Sequence, residues 1–88
     1  VAKAGLRHLA QALAREYGPR GIHVAHVVVD GVVNGDIVRN RFGDYLESLG
    51  DEGALEPDAI ADAFWALHTQ HPSAWTQELD LRPHKESW

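Results

Sequence analysis

The chain has 88 residues, 13 acidic against 8 basic side chains and a net charge of −5, with neither Cys nor Met. That balance lacks the basic footprint of a nucleic-acid binder, and the absence of cysteine removes disulfides, thiolate chemistry and sulfur-ligated zinc. No apolar run reaches the roughly 18 residues of a membrane span and no signal-peptide pattern opens the chain, so the expectation is a soluble, cytoplasmic protein that binds neither nucleic acid nor membrane.

The chain opens on Val1, Ala2, Lys3, Ala4 with no capping residue ahead of a helical pattern, which reads as a segment of a longer protein. Leu6, Leu9, Ala10, Leu13 and Tyr17 recur at helical spacing and predict a first helix to about Tyr17. Gly18, Pro19, Arg20 and Gly21 end it, because the glycines permit a turn and the proline cannot continue the helix. Ile22–Val29 ends in the β-branched run Val27, Val28, Val29 and predicts a strand covered on both faces, as in a parallel sheet.

The stretch Asp30, Gly31, Val32, Val33, Asn34, Gly35 reads as the loop at the strand's C-terminal end, where open α/β sheets place their ligands. Asp36 to about Leu49 predicts one or two short helices broken near Phe42 and Gly43. Pro57 suits a helix's first turn, and Ile60, Ala61, Phe64, Leu67 and His68 repeat on one face after it. That helix should stop before Pro72, with Trp75–Leu81 a short strand carrying Leu79 and Leu81 on one side. Helix–strand–helix–strand order without a tight hairpin implies a parallel crossover, hence an α/β fold of about two strands and three to four helices. Two parallel strands make a poor sheet by themselves, so further strands are expected upstream.

Lys3 at the start of a helix, Leu9-Ala10-x-x-Leu13-Ala14-x-Glu16-Tyr17, Gly18-Pro19-x-Gly21-Ile22-x-Val24, a strand ending in Asp30-Gly31, and Glu56-Pro57-Asp58-x-Ile60-Ala61-Asp62 together resemble the short-chain dehydrogenase/reductase family. The resemblance implies that residues 1–88 are the C-terminal portion of a doubly wound parallel-sheet (Rossmann-like) domain whose N-terminal nucleotide-binding half is absent. It implies an oxidoreductase in the full-length parent, acting with NAD or NADP on a small carbonyl or alcohol, while the 88-residue chain alone is expected to be inactive.

The family's catalytic tyrosine, four residues before its lysine, would fall two positions upstream of Val1, which makes Lys3 the catalytic and ribose-binding lysine. An ammonium at i+4 shares a helix face with the phenol and lowers its pKa. The loop would hold the nicotinamide through Asp30, Gly31, Val32, Val33 and Gly35, although Asp30 replaces the family's proline and Gly35 its threonine. Asp36 is a possible cap for the helix that follows. Residues 37–53 match the family's variable substrate loop, with Arg39, Phe42 and Tyr45 as lining residues.

Blander readings stand beside these. The histidines carry no ligand spacing and no metal site is expected, since His23 and His26 fall on opposite strand faces. Glu78 and Asp80 read as solvated carboxylates, and Trp65, Trp75 and Trp88 as packing residues of a core or subunit contact. A homo-oligomer through helix 2–17 and strand 75–81 is expected, because so thin a core leaves apolar surface to cover. The alternative to an enzyme is a non-catalytic oligomerisation or interaction module with an enzyme-derived fold.

Overall fold

A computed structural model describes residues 2–85; Val1 and Trp88 lie outside the described residues. The first helix, α1, spans Ala2–Tyr17. Its half-buried and buried positions are Ala10, Gln11, Leu13, Ala14 and Tyr17, whereas Leu6 and Leu9 are more than half exposed. The apolar stripe expected from the sequence thus continues past the face that packs. A 3-10 turn over Gly18–Arg20 follows, and Gly21 closes it at φ 85°. The Gly21 N–H donates to the Gly18 carbonyl at 3.0 Å and the Ile22 N–H to the Tyr17 carbonyl at 3.2 Å, so a left-handed glycine here satisfies the carbonyls a helix end leaves open.

The two strands, β1 (His26–Val29) and β2 (Glu78–Leu81), form one two-stranded sheet. The His26 N–H reaches the Gln77 carbonyl at 2.9 Å and the Asp30 N–H the Leu81 carbonyl at 2.8 Å. Both strands advance four residues between these bonds, the register of a parallel pair. Each strand is shorter than the sequence suggests: residues 22–25 and 75–77 lie outside the strands, although the Gln77 carbonyl accepts the first inter-strand bond. Just before β2, side chains hold the chain through backbone groups of Thr76 that alternate to the edge facing away from β1. Gln70 Oε1 accepts from the Thr76 N–H at 2.8 Å, Gln70 Nε2 donates to Thr76 Oγ1 at 2.7 Å, and His23 Nε2 lies 2.8 Å from the Thr76 carbonyl. A 3-10 turn at Pro72–Ala74 precedes this clamp.

The valines of β1 remain half-exposed, Val29 at 42%, so the expected cover on both faces is not met by the described residues. A β-branched run fits the pleat of a strand, but burying it takes neighbours on both faces.

Helix α2 (Asp36–Leu49) kinks at Phe42 (φ −134°, ψ 36°), where the sequence placed a break, and ends at Gly50. Helix α3 (Pro57–His68) begins on a proline, whose missing N–H costs nothing in a first turn. Its inward positions are Ile60, Ala63 and Leu67; Ala61, Phe64 and His68, expected on that face, are exposed. The apolar spacing of α3 admits two adjacent faces, and packing selects one. Among the described residues no helix is long and apolar enough to cross a membrane.

The residues fall into two compact units. In the first, residues up to Val28 with Trp65–Leu79, Ala10 and Leu67 are buried and His23 stacks on Trp75 with ring centroids 4.6 Å apart and planes 4° from parallel. In the second, Val29–Phe64 with the residues from Asp80 on, Leu55, Gly53 and Pro83 are buried. A parallel bridge between Val33 and Leu55, unforeseen from the sequence, joins the loop after β1 to the entry of α3. Trp75 packs as expected of a large aromatic, but Trp65 is 66% exposed and fills no core. Taken together, the architecture is α/β and has the form of part of a doubly wound, Rossmann-like parallel sheet with its helices.

Candidate functional site

The loop after β1 is held along its length by bonds within the second unit. The Asp30 carboxylate pairs with Arg82 Nη2 at 2.8 Å, with the Arg82 side chain 19% and the Asp30 side chain 52% exposed. Gly31 sits at φ 149°, and a Cβ there would lie 2.8 Å from Pro83 Cδ and 3.3 Å from Cγ. The Leu55 N–H donates to the Val32 carbonyl at 2.6 Å, the Asn34 N–H to the Leu55 carbonyl at 2.7 Å, and the Gly35 N–H to the Val33 carbonyl at 2.9 Å. The chain therefore leaves β1, makes one parallel step beside Leu55, and turns into α2 at Gly35.

Gly35 is the cap position of α2 (φ −102°, ψ 171°) and contributes no side-chain cap bond. Asp36, a capping candidate from the sequence, is instead the first helical residue. Its carboxylate accepts from Arg39 Nη2 at 2.7 Å, one turn on, while sitting where negative charge suits a helix start. The geometry at Asn34 is more telling. Asn34 Nδ2 donates to Glu56 Oε1 at 3.0 Å. A carboxylate only accepts, so this bond fixes which end of the amide is nitrogen. The other end, Oδ1, is buried with no hydrogen-bond partner among the described residues.

Two clefts adjoin this loop in the same unit. One of about 520 Å³ is lined by Asn34, Arg39, Gly43, Leu46, Glu47, Gly50 and Asp51. The other, about 310 Å³, is lined by Asn34, Arg39, Glu56, Pro57 and Asp58. Arg39 lines both. Phe42 and Tyr45 line neither and are 60% and 53% exposed on α2. Asp30, Gly31, Val32, Val33, Gly35 and Arg39 are thus gathered in one unit. Lys3 lies exposed on the first turn of α1 in the other.

Three contributors were missed by sequence reasoning. Asn34 stands in the loop but received no role, although an Asn-Gly pair between strand and helix is a turn signal; Arg82 and Glu56 become visible as partners only through the fold. Glu78, read as solvated, is instead half-buried and paired with Arg7 in the first unit. Asp80 is exposed. Among the described residues no group of three or more His, Cys, Asp or Glu could hold a metal ion.

This α/β layout, with its loop at the C-terminal end of a parallel strand, is the class of architecture in which dinucleotides bind. No protein-family model and no curated protein matches the chain. A solved structure does: the short-chain dehydrogenase from Rhodopseudomonas palustris, at 37% sequence identity and a TM-score of 0.63 over 94% of this chain. The chain spans 28% of that protein's length, so the likeness is to a part of the dehydrogenase fold.

Proposed function

We propose that this chain is the C-terminal portion of an NAD(P)-dependent short-chain dehydrogenase/reductase whose full-length form interconverts a small carbonyl and the corresponding alcohol. The observation that carries this reading is the 37% identity to a short-chain dehydrogenase over 94% of the chain, on a shared fold. The residues fit a nicotinamide cofactor in one specific respect. Asn34 Oδ1, a buried acceptor without a partner among the described residues, suits a ligand's amide donor, and the first-turn N–H groups of α2 beside it are unpaired within the helix, as at any helix start. Asp30 and Gly31 serve this site indirectly, by pinning the loop to Arg82 and Pro83.

When bound, the nicotinamide exchanges a hydride with the substrate carbon. In the longer protein, a tyrosine four positions before Lys3, upstream of Val1, would share its helix face, and the Lys3 ammonium would favour the phenolate and so let that tyrosine pass a proton to or from the substrate oxygen. Arg39, on the rim of both clefts, is positioned to contact the substrate, with Phe42 and Tyr45 on the same helix. Exposed Leu6 and Leu9 on α1, together with the strand at residues 78–81, supply the surfaces of a homo-oligomer.

The rival reading, a non-catalytic interaction module, is favoured by one observation: Asp30 and Gly31 already have full structural employment in the ion pair and the Pro83 contact. The test is to read the coding sequence upstream of Val1 and titrate the encoded longer chain with NADH and NADPH by fluorescence, beside the 88-residue chain. A tyrosine two positions before Val1, with cofactor binding by the longer chain that Lys3→Ala weakens, supports the dehydrogenase. A longer chain lacking that tyrosine and ignoring both cofactors refutes it and leaves the module.

A further inference from the structure

Residues 2–9 of α1 are exposed, and Ala10 is the first residue of the helix to be buried. The Arg7 guanidinium reaches the sheet: Arg7 Nη2 donates to Glu78 Oε2 at 2.9 Å, and Arg7 Nε stands 2.6 Å from Oε1, close but outside hydrogen-bond alignment. Glu78 is the first residue of β2, and the Nδ1 of His26, the first residue of β1, lies 3.5 Å from the same Oε1. The carboxylate is 27% exposed and the imidazole 14%. One carboxylate therefore receives a helix side chain from one direction and a strand side chain from another.

We infer that Arg7 and Glu78 form a clamp that positions Lys3. The pair ties the otherwise unpacked half of α1 to the start of β2, and Lys3, four residues before Arg7, lies on the same face of the helix one turn nearer its end. Arg7 and Glu78 are positioning residues: neither is placed on substrate or cofactor, and their effect reaches Lys3 through the helix. His26 supports the carboxylate from the strand side, where an N–H at Nδ1 would point to Oε1. The functional weight of Lys3 rests on the dehydrogenase reading above; the clamp itself rests on the geometry of α1 and β2.

Lys3 and Lys85 are the chain's only lysines. Reductive methylation with a carbon-13 label therefore gives two resolved side-chain signals, besides the amino terminus, on the 88-residue chain as it stands. In Glu78→Gln and in Arg7→Met, the Lys3 signal should shift and sharpen. Backbone amides of residues 6–9 should exchange roughly two- to fivefold faster, the range expected of a part-exposed ion pair. Lys85 should not respond, and the double exchange Arg7→Glu with Glu78→Arg should restore both readouts. An unmoved Lys3 signal in Glu78→Gln overturns the clamp, as does an equal response of Lys85, which would mean general loosening. Cofactor titration of the longer chain decides the dehydrogenase reading independently: a Lys3 signal that responds while NADH is ignored removes that reading and keeps the clamp.

Discussion

Replacing Gly31 with alanine separates the loop's structural role from any ligand role, because Gly35 provides a matched control four residues away. At Gly31 the backbone is at φ 149°, and a methyl group would stand 2.8 Å from Cδ of buried Pro83 and 3.5 Å from Leu55 Cδ1. The backbone conformation alone costs an L-residue about 1–3 kcal/mol. A proline ring cannot swing aside as a flexible side chain would, so overpacking adds about 1 kcal/mol or more. The sum, about 2–4 kcal/mol, is a large share of the roughly 5 kcal/mol expected to hold so small a chain together. At Gly35 the φ is −102° and nothing lies within 4 Å of the added methyl, so the effect should stay within about 0.5 kcal/mol.

Urea unfolding followed by far-UV circular dichroism reads both variants. With a slope of about 1 kcal/mol per molar urea, the Gly31→Ala midpoint should fall by about 2–4 M while that of Gly35→Ala barely moves. Hydrogen exchange localises the damage, since the Asn34 and Leu55 amides that make the parallel step should lose protection first in Gly31→Ala. Equal midpoints for the two variants would refute the argument that Gly31 is required by its approach to Pro83.

Leu55→Ala removes a side chain that is 8% exposed beneath the loop, and should lower stability by about 2–3 kcal/mol in the same urea assay. Asp30→Asn breaks the pairing with Arg82 across a part-exposed site; a loss under about 1 kcal/mol at low salt, fading at about 1 M salt, is expected from paired melts. Leu9→Lys, at a position 55% exposed, should leave the unfolding free energy within about 0.5 kcal/mol of the parent. If α1 forms a subunit contact, sedimentation velocity should show Leu9→Lys shifted toward monomer at concentrations where the parent associates.

Much of the fold follows from local physical chemistry. Apolar spacing set α1 and α3, Gly18 to Gly21 set the turn, Pro57 set a helix start, and Gly43 beside Phe42 marked the kink in α2. These are contacts between residues three or four apart, or constraints within a single residue, so they can be read in one dimension. The motif order that led to the dehydrogenase resemblance is local in the same sense. It gathers Asp30, Gly31, Val32, Val33 and Gly35 because they are consecutive or nearly so.

The tertiary structure decided the rest. Which stripe of α1 packs, and which neighbouring face of α3 turns inward, depend on what lies opposite, and the sequence pattern is degenerate between adjacent faces. His23 meets the Thr76 carbonyl just before β2 across 53 positions, a contact that sets no local pattern. Arg82 meets Asp30 across 52 positions and Arg7 meets Glu78 across 71, separations over which no periodicity carries information. The Val33–Leu55 bridge, which brings Glu56 to Asn34 and leaves Asn34 Oδ1 without a partner among the described residues, arises only once two distant backbones lie side by side. Sequence alone determined the helices, the turns and the loop that carries the candidate site. Three-dimensional packing determined which side chains that loop leans on, because charge pairing and close approach act through space between residues far apart in the chain.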